Sequence, residues 1–142
     1  YRVKRENPQL TVVVNGGIAN LDEAQAHLAH VDGVMLGRAA YHDPALLLDV
    51  DARFFGGERR TMEDALEDYI QYIEEQLTRG VPLNTMTKHM LGLFNGQPGG
   101  RLFRRHLSEN ATKRGAGLEV LLEALARISR LSLPRLRNME MA

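Results

Sequence analysis

Thr11-Val12-Val13-Val14-Asn15-Gly16-Gly17-Ile18 and, one helix-length later, Gly33-Val34-Met35-Leu36-Gly37-Arg38 are the two stretches that decide the fold of this chain. Each is a short apolar run that ends in glycine. Their spacing predicts a buried strand over 10–14, bounded by Pro8 and Gly16-Gly17, then a helix, then a second buried strand over 34–36. Asn20, with Asp22 and Glu23 behind it, reads as the N-cap of that helix, and Leu21, Ala24, Leu28 and Val31 read as its apolar stripe. Strand, helix, strand with tight loops implies a right-handed crossover and a parallel sheet. Two glycine-terminated strand ends, one helix apart, are how the loops after the last two strands of a (β/α)8 barrel grip a phosphate. Such a barrel takes about 250 residues, and this chain has 142. The expected fold is therefore mostly helical: an α/β remnant of a TIM barrel, its last two strands, followed by an all-α bundle.

Working outward, a short helix is expected from Arg38 through Tyr41, and Pro44 opens a helical stretch through Leu46, Leu47 and Val50 to Phe54-Phe55. Composition and period change at Gly56-Gly57-Glu58-Arg59-Arg60, which sets domains of 1–57 and 58–142. Beyond it, 61–79 predicts an amphipathic helix. Thr61 and Asp64 form its capping box, Leu66, Tyr69, Ile70, Ile73 and Leu77 its apolar face, and Gly80 its stop. Further helices are expected over 83–95, closed by Gly96-Gln97-Pro98-Gly99-Gly100, over 101–110, and over 118–131, ended by Pro134. Short connections make these an antiparallel bundle. Met86, Met90, Leu93 and Phe94 read as core, as do Leu102, Phe103, His106 and Leu107 on one face of the third helix.

The formal net charge is zero, but charge is segregated: residues 85–142 carry ten Lys/Arg against four Asp/Glu, and the rest of the chain is acidic. A basic last third fits a polyanion-facing surface, or a solvated helical face whose Arg stems pack on the bundle. There is no cysteine, so the chain holds no disulfide, no thiolate metal site and no cysteine acid or nucleophile. No apolar run reaches the length of a membrane span, and a cytoplasmic protein is expected. The chain starts with Tyr rather than Met, as a fragment would.

A phosphate dianion needs converging N–H donors and a nearby positive charge. Gly16 and Gly17 let the backbone approach without a Cβ and accept positive φ, and Gly37 is read the same way. The first amides of the Arg38 helix lack intrahelical acceptors. Arg38 offers a guanidinium fork and Asn15 a side-chain amide. In the bundle, Arg101, Arg104, Arg105 and Ser108 fall at i, i+3, i+4 and i+7 and share one face, with Lys88, Lys113 and Arg114 nearby in sequence. Such a face suits a nucleic-acid backbone read by shape. His27 and His30 stand at i, i+3 without a third ligand, so no metal is expected. His89 and His106 sit beside apolar positions and read as packed.

The run 11–18 followed by Val31-Asp32-Gly33-Val34-Met35-Leu36-Gly37-Arg38-Ala39-Ala40-Tyr41 resembles the flavin-phosphate end of the tRNA-dihydrouridine synthases. His89-Met90-Leu91-Gly92-Leu93-Phe94, Gly96-Gln97-Pro98-Gly99 and Arg104-Arg105-His106-Leu107-Ser108-Glu109-Asn110 resemble their C-terminal helical domain, most nearly that of the A subfamily. The resemblance implies a flavoenzyme that reduces a uridine in the D-loop of tRNA. NADPH is the reductant, FMN the cofactor that passes hydride to C6 of the uracil, and a barrel cysteine the acid at C5. The base must leave its stack to be reached. By position, Asn15, Gly16, Gly17, Gly37 and Arg38 would hold the FMN phosphate. The helical domain would hold tRNA through Lys88, Arg101, Arg104, Arg105, Lys113 and Arg114.

The absent cysteine departs from the family pattern. It implies roughly the last two-fifths of such an enzyme, with no catalytic residue and no synthase activity of its own. Half a barrel also leaves strand edges and an apolar face open, so self-association or disorder of that part is expected. Two alternatives compete: another FMN barrel oxidoreductase acting on a small molecule, and a non-catalytic RNA-binding or scaffold domain.

Overall fold

The computed structural model describes residues 1–129 together with Leu131, Leu133 and Leu136. The chain divides into two compact units, Tyr1–Arg59 and the chain from Arg60 onward.

The first unit runs α1 (Arg2–Glu6), β1 (Val13–Asn15), α2 (Leu21–Leu28), β2 (Gly33–Met35), α3 (Arg38–His42), a 3-10 turn over Pro44–Asp49, and α4 (Val50–Phe54). β1 and β2 pair in parallel, Val13 opposite Gly33, Val14 opposite Val34 and Asn15 opposite Met35. Strand, helix and strand therefore come in the order the glycine spacing requires. Asn20 caps α2 by accepting the Glu23 amide at 2.9 Å, and Glu23 Oε2 accepts the Ala19 amide at 2.7 Å. Ile18, Leu21, Ala24 and Val31 form the small core of this unit.

Three expectations for this unit need correction. β1 starts later than expected, because the Asp32 carboxylate takes the Val12 amide at 2.8 Å while Val12 O accepts the Asp32 amide. The Val12 amide is thus held by a side chain, while its carbonyl still pairs with backbone. The strands were expected to be buried, yet Val13 is 55% and Met35 49% exposed. Within this unit α2 packs against β2, and Val13 and Met35 lie outside the small core. The stretch from Pro44 begins as a 3-10 turn rather than an α-helix, and none of its leucines is buried. α1, which charge alone did not announce, is braced by Arg2 and Glu6, 3.0 Å apart one turn away.

The second unit carries α5 (Met62–Thr78), α6 (Leu83–Thr87), a 3-10 turn over Lys88–Met90, α7 (Gly100–Asn110) and α8 (Leu118–Leu125). The Thr61–Asp64 capping box forms, with Thr61 Oγ1 accepting the Asp64 amide at 3.1 Å and Asp64 Oδ2 accepting the Thr61 amide at 3.2 Å. Leu66, Ile70 and Ile73 of α5 meet Leu83, Met86 and Met90, then Phe94 and Phe103 edge to face at 4.9 Å, then Leu107, Leu121 and Leu125. Fully burying one such side chain is worth about 1.5–3 kcal/mol, so this core outweighs that of the first unit.

Here too the helices are shorter than periodicity predicts. The helix expected over 83–95 keeps one α-helical turn and a half, then tightens into 3-10 geometry and a turn. Buried Thr87 turns its hydroxyl back to Leu83 O, and Gly92 and Gly96 weaken the helical tendency of the residues beyond it. α8 stops at Leu125 rather than 131, with the Arg127 and Ile128 amides bonding three residues back. Pro134, expected to end it, lies outside the described residues. Leu102, expected in the core, is 52% exposed, because the buried face of α7 is Gly100, Phe103 and Leu107.

Candidate functional site: a glycine-edged cleft and a basic helix

Asn15, Gly16, Gly17, Gly37 and Arg38 line one cleft of about 430 Å³ at the C-terminal ends of β1 and β2. Parallel pairing explains the convergence: both strands end on the same side, so both glycine turns open there. Gly16 and Gly17 adopt φ of +105° and +75°. A Cβ at either would meet no protein atom within 4 Å, so both backbones face open space. Gly37 differs from expectation. Its φ is −94° and a Cβ there would touch only Met35 at ordinary distance, so its backbone needs no glycine. It caps α3, whose first amides have no intrahelical acceptor.

The loop that carries Gly16 and Gly17 is anchored by buried Ile18 and by the Asn20–Glu23 cap. Arg38 is exposed, with no described ion-pair partner. Among the described residues no carboxylate lines the cleft, and its polar wall is completed by His42. Amides, one uncompensated guanidinium and no negative charge fit a phosphate group. Ile18, Ala19, Met35, Ala39 and His42 also line the cleft and were missed from the sequence. His42 lies four residues after Arg38 on α3, so helical spacing could have found it. Met35 required knowledge of the strand's true end.

The six basic residues are distributed over the 3-10 turn, α7 and the loop after it. Arg101, Arg104 and Arg105 project from the outer face of α7 with Ser108, all exposed. Arg104 donates to Asn95 Oδ1 at 3.0 Å. Arg105 is paired with Glu109 at 2.8 Å, which holds the guanidinium's pKa above its usual value. Lys113 donates to Asn110 Oδ1 at 2.7 Å just past the helix end. Lys113 and Arg114 border a second cleft, of about 480 Å³, floored by Leu77, Val81 and Leu83. Lys88 is exposed on the 3-10 turn.

His106, His27 and His30 make contacts within the chain, whereas His89, expected to be packed, is exposed. Arg127 donates to His106 Nδ1 at 3.1 Å, and since arginine cannot accept, the proton of neutral His106 sits on Nε2. That nitrogen lies 3.2 Å from Glu123 Oε2 but off the hydrogen-bonding direction, a close electrostatic contact only. His27 Nδ1 meets Tyr1 Oη at 2.8 Å, and the His30 ring lies 4.4 Å from that of Tyr1. Among the described residues no three His, Cys, Asp or Glu are grouped to hold a metal, and no helix is long and apolar enough to cross a membrane.

Comparison with known proteins returns a match over residues 1–129 to the family described as dihydrouridine synthase (Dus). The chain is 52% identical over 130 residues to a tRNA-dihydrouridine(20/20a) synthase of Vibrio cholerae, covering 90% of this chain and 40% of that protein. It is 53% identical over 127 residues to the enzyme of the same name from Xanthomonas campestris, covering 89% and 38%. For that of Yersinia pestis the identity is 48% over 131 residues, covering 91% and 38%. The chain spans about two-fifths of the length of these curated relatives.

Proposed function

The chain belongs to the dihydrouridine synthase family, and we propose that it forms the flavin-phosphate and RNA-holding end of an enzyme that reduces uridine to 5,6-dihydrouridine in the D-loop of tRNA. The name shared by the relatives makes positions 20 and 20a the substrates proposed here. In this reading the two strands are the closing pair of a (β/α)8 barrel, residues 58–142 are the tRNA-binding helical domain, and the compartment is the cytoplasm. The observation that carries the reading is that all five residues picked for a phosphate line one cleft at the ends of two parallel strands.

An FMN held by Asn15, Gly16, Gly17, Gly37 and Arg38 would provide hydride chemistry for reduction of the uracil C5–C6 bond, with NADPH as the reductant. The chain's own residues bind and orient. The Gly16 and Gly17 backbones, the first amides of α3 and the Asn15 side chain surround the phosphate position, and Arg38 neutralises it. α7 and the loop after it offer Arg101, Arg104, Lys113 and Arg114 to RNA phosphates, with Lys88 on the 3-10 turn. Arg105, already paired with Glu109, contributes less charge. Proton delivery to C5 falls to a residue this chain does not contain, since it has no cysteine.

The experiment is to incubate the chain with FMN, NADPH and unmodified tRNA, and in parallel to titrate tRNA against it at several salt concentrations. The expected result is no dihydrouridine and binding that weakens steeply with salt. Turnover by the chain alone, or no binding at low salt, would overturn the assignment. A small-molecule flavin oxidoreductase, which would explain the cleft but not the basic helix, predicts no tRNA binding.

A further inference from the structure

Among the cations assigned to RNA, the described partners differ in kind. Arg105 is held by a carboxylate, Glu109, so its charge is compensated. Arg104 and Lys113 are held instead by neutral amide oxygens, those of Asn95 and Asn110. An amide oxygen can fix the direction of a guanidinium or ammonium without cancelling its charge.

We propose that Asn95 is a positioning residue for RNA binding, holding the Arg104 guanidinium in place on the outer face of α7 with its full charge available to a phosphate. The inference rests on the RNA-binding reading of the helical unit. Asn95 stands in the turn after Phe94, and that turn is fixed from beneath. Phe94 is buried against Phe103, and the Gln97 amide bonds to Phe94 O at 3.2 Å. Arg104 is fixed from its own side: it lies on α7 one residue from buried Phe103, and Ser108 Oγ bonds its carbonyl at 2.9 Å. Two anchored backbones therefore meet through one exposed hydrogen bond. Such a bond adds little to folding stability, since water competes for both partners. Its effect is to remove rotamers from a long side chain before binding, a cost otherwise met when RNA arrives. A carboxylate at the same place would orient Arg104 as well but compensate it. Asn110 repeats the arrangement at the other end of α7, bonding His106 O through Nδ2 while Oδ1 holds Lys113.

The test measures binding of unmodified tRNA to the intact chain across a salt series, for Asn95→Ala, Asn95→Asp, Arg104→Ala and the double variant Asn95→Ala/Arg104→Ala. Asn95→Ala is expected to weaken binding about two- to tenfold with the salt slope unchanged. Asn95→Asp is expected to lower the slope by about 0.7–0.9, as one lost phosphate contact does, and to match Arg104→Ala in this. Asn95→Ala is expected to add nothing once Arg104 is gone. Thermal unfolding of both Asn95 variants reports folding separately. If Arg104→Ala weakens binding but neither Asn95 variant does, or if the losses from Asn95→Ala and Arg104→Ala simply add, the positioning role is overturned and the RNA surface stands. If Arg104→Ala itself binds as the parent does, Arg104 is not an RNA contact and the underlying assignment fails with it.

Discussion

A side chain on Gly99 would overlap the main-chain carbonyl of Arg127, so these two backbones approach as closely as only glycine permits. Gly99 also holds φ of +87° and precedes α7, the helix that carries Arg101, Arg104 and Arg105. Gly100, the next residue, is closed off in the same way by Phe94 O. The glycine pair thus seats the N-terminus of the basic helix on the core.

Gly99→Ala is expected to destabilise the helical unit by about 2–4 kcal/mol, combining left-handed strain with a clash against backbone that cannot yield. Gly96 has φ of +76° but open space where its Cβ would stand. Gly96→Ala should therefore cost only about 1–2 kcal/mol of conformational strain. Urea unfolding of the two variants measures the difference, and equal losses would mean that the contact with Arg127 carries no weight.

Among the described residues, Arg38 is the only formally charged one lining the strand-end cleft. Arg38→Ala in a full-length protein carrying this chain should weaken FMN binding about 10- to 100-fold, the loss of a charge-assisted bond. His42→Ala should cost less, since His42 completes the wall without a fixed charge. Flavin fluorescence titration reads both, and unchanged affinity in Arg38→Ala would remove Arg38 from the site.

The Asp64 carboxyl is held below its ordinary pKa by the Thr61 hydroxyl and amide, which bond to its charged form. Its folded pKa thus lies below the unfolded value near 3.8. Between the two the unfolded chain binds more protons, so stability rises with pH in that window. The contribution is complete above the unfolded pKa and is lost as pH falls through the folded one. Asp64→Asn should lower stability at neutral pH and flatten the acid limb of the helical unit below about pH 4. A parallel downward shift across all pH would show that the cap acts independently of charge.

The first unit leaves Val13, Leu47 and Phe55 about half-exposed or more, with Phe55 at 78%, and its sheet has two strands among the described residues. Unpaired strand edges and apolar surface of this kind associate. The chain is expected to be oligomeric or polydisperse by light scattering at micromolar concentration, and Val13→Lys with Phe55→Ser to shift it toward monomer. A monodisperse monomer for the parent chain would count against this.

Much of the molecule was written in local pattern. Asn20 takes the Glu23 amide and Thr61 with Asp64 forms a capping box because N-cap bonds join residues three apart, which sequence spacing states directly. Leu66, Ile70 and Ile73 face the core because helical period alone puts them on one side. Asn15, Gly16, Gly17, Gly37 and Arg38 meet in one cleft because two strands joined by one helix must run parallel and end together.

The remainder belonged to contacts between distant residues, which no local pattern encodes. Where β1 begins was decided by Asp32 reaching back twenty positions to the Val12 amide. Whether Arg104 keeps its charge free was decided by what stands opposite, the neutral Asn95 in the turn before α7. Residue order set period, caps and turns, since these depend on neighbours along the chain. Exposure, strand limits and the electrostatic use of each cation came only with the tertiary structure, since they depend on which groups the fold sets against them.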